Sequence, residues 1–285
     1  MKIRAARRQD KEQVLGFCKH TFSWGDYIDK VWNMWYSNKN GRLLVGEHGG
    51  RAVSMCHVAI CPNNSFAWLE GIRVHPEFRR SGVATELLDR MLAYAGRLKA
   101  RQASAIVAVD NVASQRMMEK NGFAAISNWT YYSTDVKLGV RKSRAQLARI
   151  VDLSEIWDYL KQSRTHRRSA GRYVRGWQWY ILDRKALRQL VNEGRVAVAG
   201  SPINGIAIIN KDGYWDRKDV LQVVYLDSEK SAQDLLSFAA NLYAQGRFSR
   251  FHVICHESRH LTSMIEKFRI KESERFLLYR KVITG

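Results

Sequence analysis

The chain has 285 residues, 46% of them hydrophobic, with 47 lysines and arginines against 27 acids, a formal net charge of +20. That is enough apolar sequence for one large or two ordinary cores, and no run approaches the roughly 20 apolar residues that span a bilayer, so no membrane partner is expected. The basic N-terminus lacks a signal peptide's apolar stretch, and Cys18, Cys56, Cys61 and Cys255 have neither C-x-x-C spacing nor disulfide density, which predicts a reduced, cytoplasmic setting. The charge attracts polyanions such as nucleic acid or acidic proteins without specifying one, and a basic proteome gives the same composition.

Lys2–Ala6 reads as a first strand, followed by a helix that Asp10 caps and that runs through Val14, Leu15, Phe17 and Cys18. An aromatic helix at Asp26–Tyr36 carries Tyr27, Trp32, Trp35 and Tyr36, with Trp24 just before it. Strands are expected at Arg42–Glu47 and Ala52–Ile60, joined by Glu47-His48-Gly49-Gly50, and at Ser65–Val74, stopped by His75-Pro76. A helix at Val83–Leu98, a buried strand at Ala103–Val109, a helix at Val112–Lys120 ended by Asn121-Gly122, and a strand at Phe123–Thr134 complete the first half.

Trp68–Leu88 organises this half. A strand entering a basic, glycine-containing turn and then a helix presents unpaired N–H groups and a helix dipole, which together bind an anion. Arg79, Arg80, Ser81, Gly82, Val83, Ala84 and Thr85 form that turn, and Gly82 and Ala84 allow close backbone approach. The spacing is neither Walker A nor G-x-G-x-x-G.

Arg79-x-x-Gly82-x-Ala84, preceded by Val74-x-Pro76-x-Phe78-Arg79 and followed by Asn111…Ser114…Glu119-Lys120-Asn121-Gly122-Phe123, resembles the signature of the GNAT N-acetyltransferases. The resemblance covers roughly residues 1–134 and implies an α/β (α+β) fold: a mixed, mostly antiparallel sheet with flanking helices, in which two parallel strands, here ending near Val74 and Val109, splay apart. It implies acetyl-CoA as cofactor, with its pyrophosphate on Arg79–Thr85 and its pantetheine arm along Ile72, Arg73 and Val74. Asn111 and Ser114 match cofactor contacts, although Asn111 equally suits a helix cap. Glu70 is the candidate base. The period of two puts it on one face with Ile72 and Val74, and its alternative role is a structural hydrogen bond. Trp24, Tyr27 and Tyr131 are candidates for the acceptor site, the helix aromatics serving otherwise as core. Met118 stands where the family often places a tyrosine acid, so that role is not carried over; Tyr131, Tyr132 or solvent are left to protonate the thiolate.

The second half repeats the first. Arg149-Ile150-Val151 and Asp152–Leu160 match the opening strand and helix. Arg195–Val198, Ile206–Ile209, Leu221–Leu226 and Phe251–Cys255 match later strands. Glu119 and Glu266 are 147 positions apart, and Leu87 and Leu235 are 148 apart, the near-constant offset of an internal repeat. Asp227-Ser228-Glu229-Lys230-Ser231 replaces the phosphate turn with acids and no glycine. The expected domains are therefore an active GNAT domain at 1–134, a basic linker at 135–148, and a degenerate GNAT-like domain at 149–285 without the cofactor loop, a tandem arrangement.

His256-Glu257-Ser258-Arg259-His260 spells the zincin pattern, but the first histidine falls at a strand end, so no metal is assigned. The tandem layout and Leu69–Val74 are similar to the histidine N-acetyltransferase subgroup, which implies an amino acid or other small primary amine as acceptor, attacking directly in a ternary complex. The alternative uses residues 137–188, with 14 lysines and arginines against 4 acids. There Arg164, His166, Arg167, Arg168, Arg172 and Arg175, with Trp177, Trp179 and Tyr180, would dock an RNA or acidic-protein acceptor, or would bind nucleic acid beside vestigial catalysis.

Overall fold

The computed structural model describes residues 1–22, 25–61 and 66–283, which form two compact units. The first holds Met1–Val107, Asn111–Ala125 and Tyr279–Gly285, and the second Ala108–Asp110 and Ile126–Leu278. The motif-based boundary was drawn at 134; compactness divides the chain after Ala125 and returns the C-terminal residues to the first unit. Among the described residues no helix is long and apolar enough to cross a membrane.

The first unit runs β1 (Lys2–Ala5), α1 (Asp10–Cys18), α2 (Ile28–Tyr36), β2 (Gly41–His48), β3 (Arg51–Ile60), β4 (Ala67–Val74), α3 (Val83–Arg97), β5 (Gln102–Ala108) and α4 (Val112–Lys120). The strands lie in the order β1-β2-β3-β4-β5; the first four are antiparallel neighbours, and β4 and β5 are parallel. Only Ala67↔Ala103 and Trp68↔Ser104 pair across β4 and β5, after which the strands part. Helix α3 buries Val83, Leu87, Leu88, Met91 and Ala95, one stripe at helical period, against β3 and β4. Each large side chain in that stripe contributes roughly 1.5–3 kcal/mol.

Asp10 was expected to cap α1. Instead it is the helix's first residue, almost fully buried, and accepts hydrogen bonds from Arg7 N–H (2.6 Å) and the Arg4 guanidinium (2.7 and 2.9 Å). Trp24 and the expected strand start at Ser65 lie outside the described residues.

The second unit contains β6 (Ala124–Thr134, from Ile126), β7 (Gln146–Leu147), α5 (Leu153–Gln162), α6 (Arg164–Arg168), β8 (Arg172–Arg175), β9 (Gln178–Ile181), α7 (Arg184–Asn192), β10 (Val196–Ala199) and β11 (Gly205–Asn210). These are followed by β12 (Val220–Ser228), α8 (Ala232–Gln245), β13 (Arg250–His256), α9 (Arg259–Glu266) and β14 (Lys271–Val282, to Leu278). Its main sheet runs β6-β13-β12-β11-β10-β7, with β12 and β13 parallel only from Val220↔Arg250 to Val223↔Val253, so the splayed pair recurs. Helix α8 packs Leu235, Leu236, Ala239 and Ala240 on β10, β11 and β12.

The opening strand expected at Arg149–Val151 is displaced. The short strand is Gln146–Leu147, and Ile150–Asp152 forms a 3-10 turn in which Asp152 accepts the Arg149 N–H (2.8 Å). The β8–β9 hairpin, a separate two-stranded sheet, has no counterpart in the repeat reading.

Candidate active site

The site begins with an irregularity in β4. His57 on β3 faces Glu70, whereas Met55, two residues away, faces Arg73, three residues away. The extra residue is accommodated by Gly71, whose φ of +68° is open to glycine and strained for other residues. A Cβ there would lie 2.6 Å from the Trp35 ring. The bulge corrects the expected period of two: Glu70 shares its face with Arg73, not with Ile72 and Val74.

Glu70 is fixed from two sides. His57 Nδ1 lies 2.9 Å from Oε1, and Trp68 Nε1 donates to Oε2 at 3.2 Å. Asn40 N–H donates to Asn38 Oδ1 (2.9 Å), which turns the Asn38 amide nitrogen toward His57 Nε2 (3.3 Å). Nε2 therefore accepts, and the ring proton sits on Nδ1, where it is donated to the carboxylate. His57 has no exposed surface and stacks on Trp35 (4.7 Å between centroids, 7° between planes), while the Glu70 side chain stays 14% exposed. A fixed, reachable carboxylate results.

Beside it, Arg73 forms a bidentate pair with Asp26 (2.7 and 3.1 Å) and lies over the Phe22 and Tyr27 rings. Burial opposes the charge on Arg73, but Tyr27 and Asp26 outweigh it and hold the guanidinium above its ordinary pKa. Burial raises the Tyr27 hydroxyl's pKa, with Arg73 opposing. Tyr27 meets Trp35 edge-on, so the candidate acceptor residue and the candidate base belong to one cluster. Trp32 and Trp35 are core. A cleft of about 290 Å³ bounded by Leu15, Cys18, Lys19, Gly25, Asp26 and Asp29 opens next to the Asp26–Arg73 pair.

After Val74 the chain turns through His75 and a 3-10 turn at Pro76–Phe78. Arg79 Nε donates to the Val74 carbonyl (3.2 Å), and Ser81 Oγ donates to the Phe78 carbonyl (2.6 Å). Left-handed backbone at Arg80 (φ +62°) and Gly82 (φ +85°) curls the turn into a concave row of N–H groups leading into α3. Among the described residues nothing lies within 4 Å of where a Gly82 Cβ would stand, and Arg79, Arg80, Ser81 and Gly82 are exposed. Val83, Ala84 and Thr85 add first-turn N–H groups that have no intrahelical acceptor. This geometry fits a pyrophosphate.

Asn111 acts as the cap, accepting the Ser114 N–H (3.1 Å) at the start of α4. Because β4 and β5 are parallel, α3 and α4 both begin at the same end of the sheet. The Glu119–Phe123 segment terminates α4: Gly122 N–H bonds the Glu119 carbonyl and Phe123 N–H the Met118 carbonyl (both 3.0 Å). Met118 is buried.

Tyr131 and Tyr132 lie in the second unit. Tyr131 bonds His252 (3.1 Å) and Tyr132 bonds Thr262 (2.7 Å), and burial pushes both hydroxyls up to about 12. The histidines of the H-E-x-x-H run are on different elements, His256 closing β13 and His260 in α9. Of the expected basic face, Arg172 and Trp179 are internal and His166 is half-buried against Tyr225 (3.3 Å), whereas Arg164, Arg167, Arg168 and Arg175 are exposed.

The sequence reading missed His57, Asn38 and Gly71. A lone histidine inside the apolar run Ala52–Ile60 and a glycine inside a strand were the signals available.

The profile of the Acetyltransferase (GNAT) family matches residues 10–123. An aminoglycoside N(6')-acetyltransferase type 1 from Acinetobacter genomosp. 13 is 34% identical over 117 residues, which are 39% of this chain and 80% of that protein. A histidine N-acetyltransferase from Scomber australasicus is 23% identical over 88 residues, 31% of this chain and only 26% of that protein's length. A tandem GNAT protein from the clavulanic acid biosynthesis pathway shares the fold at a TM-score of 0.57 and 12% identity, covering 100% of this chain and 99% of its own. With the bulged strand, the parting of β4 from β5 and the phosphate-shaped turn all within the matched residues, the chain belongs to the GNAT acetyltransferase family.

Proposed function

We propose that this chain transfers an acetyl group from acetyl-CoA to the primary amine of an amino acid or other small amine, by direct attack in a ternary complex. The observation that carries the reading is Glu70, held by His57 and Trp68 at the bulge of a strand that runs on into an anion-binding turn. Acetyl-CoA, when bound, supplies an acetyl group on a thioester. Arg79 and Arg80, with the N–H groups of Ser81 to Thr85, hold the pyrophosphate. Beyond Trp68, β4 no longer pairs with β5, and its backbone groups at Ile72, Arg73 and Val74 take up the pantetheine arm. Glu70 accepts a proton from the incoming amine, which attacks only when neutral. Tyr27 and Trp24 are the proposed contacts of the acceptor, while the acids nearby, Asp26 and Asp29, are paired with Arg73 and Lys11. Ser114 flanks the cofactor behind the Asn111 cap, and with methionine at 118 the leaving thiolate takes its proton from solvent.

Relatives named for acetylating histidine and an aminoglycoside support a small-amine acceptor. The second unit is proposed to hold no cofactor, because β12 reaches α8 in three residues that include Glu229. The alternative acceptor, RNA or an acidic protein on the 137–188 face, rests on its exposed arginines and would show itself by turnover that falls steeply with salt.

The test is thiol release with acetyl-CoA and a panel of amino acids and aminoglycosides. Glu70→Gln should lower kcat by about 10²–10⁴-fold with acetyl-CoA affinity unchanged. An unaltered kcat would remove Glu70 from the chemistry.

A further inference from the structure

A second group of aromatic side chains lies within the second unit. Trp177 sits at the tip of the β8–β9 hairpin, and Trp215 on the loop between β11 and β12. Both are in left-handed backbone, φ +64° and +52°, a conformation that strains a bulky residue. Their rings stack, 6.1 Å between centroids and 28° between planes. Tyr131 and Tyr214 stand edge-on to Trp177 at 5.1 and 5.9 Å. All four rings keep part of their surface exposed, so core formation does not account for the strain.

Beneath them lies His252, with no exposed surface. Its Nε2 meets the Tyr131 hydroxyl at 3.1 Å, but its Nδ1 is buried without a hydrogen-bond partner among the described residues, and so is Trp177 Nε1. Buried polar atoms without partners are rare and call for an explanation. Two arginines dominate the charge acting on His252, with Asp219 opposing them. Arg250 shares the β13 face with His252, and Arg217 closes the turn bearing Tyr214, the two exchanging backbone hydrogen bonds (2.9 and 2.8 Å). Neither arginine has a carboxylate within 4 Å among the described residues; Asp219 on the same loop accepts from the Ser249 hydroxyl and acts on both arginines from farther away.

We propose that this cluster binds a nucleotide, its base stacked on the Trp177–Trp215 platform and its phosphate on Arg217 and Arg250. Aromatic faces accept any flat ring, and the arginines select one that carries an anion. A cationic ligand, which bare aromatic cages favour, is repelled by the two arginines. A free nucleotide and a nucleotide within a single strand share this chemistry.

The test titrates the full chain with 5′-AMP, followed by tryptophan quenching, and with a fluorescein-labelled oligoadenylate, followed by anisotropy. Saturable binding is expected, weakened roughly tenfold or more by Trp215→Ala. Arg217→Ala/Arg250→Ala should flatten the salt dependence of oligoadenylate binding by about 1.4 in log–log slope. Acetyl-CoA titration of the same variants reports whether the rest of the molecule is intact. Saturation by AMP marks a free-nucleotide site, and saturation by oligoadenylate alone marks a single-strand site; either supports the assignment. Should Trp215→Ala unfold, the double arginine variant carries the test at positions that make no ion pair. No saturation by either probe, affinity untouched by the variants, or adenosine binding as well as AMP would overturn it.

Discussion

Each unit carries a bulged strand that parts from a parallel neighbour and turns into a long helix, but the two turns treat charge in opposite ways. In the first unit eight residues separate β4 from α3, and left-handed Arg80 and Gly82 fold them into an open cradle of N–H groups. In the second, three residues separate β12 from α8, and the polar centre turns inward. Asp227 is 1% exposed and accepts hydrogen bonds from Tyr225 (2.9 Å), Ser163 (2.6 Å) and Tyr159 (3.0 Å). The bulges differ as well: Gly71 in left-handed backbone against Trp35, and Val224, buried, with no left-handed backbone. The same scaffold thus yields an open turn whose first-turn N–H groups have no intrahelical acceptor, and a closed hydrogen-bonded knot where hydroxyls satisfy an acid inside the fold.

The sharpest way to break this comparison is at the bulges. Gly71→Ala forces a Cβ into the Trp35 ring in a strained conformation and should cost roughly 3–5 kcal/mol in chemical denaturation. Val224→Ala removes only buried methyl groups and should cost clearly less. Equal losses would show that the Gly71 conformation is not what holds the first bulge.

Next in size is Gly82→Asp, which places a carboxylate in the cradle. Calorimetric titration should show acetyl-CoA affinity falling roughly a hundredfold, while Glu229→Gly leaves one site per chain. A second site in the wild-type chain would end the contrast between the turns.

Acid should then weaken the second unit. Burial, with Arg250 and Arg217, lowers His252 from 6.5 to about 3. The unfolded chain therefore takes up the proton first: this contribution to stability is whole above pH 6.5 and is lost as pH falls toward 3. Lowered His166 and His256 act in the same direction. About 2 kcal/mol should be gone at pH 5 through His252, and urea melts of His252→Phe should lack that part of the slope.

The smallest effect separates position from chemistry at Glu70. His57→Phe keeps a ring against Trp35 but removes the donor, and kcat should drop about tenfold. His57→Asn restores an N–H and should recover most of it. Identical rates for the two variants would leave His57 a packing residue.

The strand-to-helix turn was legible in the sequence because its conformation is local. Arg79, Gly82 and Ala84 act through their own backbone within one strand-to-helix passage. The repeat was legible for a similar reason, since Leu87/Leu235 and Glu119/Glu266 keep their spacing whatever the packing. Glu70 was singled out as a candidate, but its surroundings were not foreseen. Its holders come from three other places in the chain: His57 on β3, Asn38 after α2, and Trp35 packed on Gly71. The face it occupies depended on a bulge that shifts the strand's period by one, which no reading of alternation anticipates. In the second half, charge density proposed a basic face, whereas folding drew Arg172 and Trp179 inside and assembled Trp177, Trp215, Tyr131 and Tyr214 over His252. Sequence by itself determined which segments fold by local backbone rules. Only tertiary structure decided which distant side chains meet, because a burial-driven fold constrains the sum of contacts and not their order along the chain.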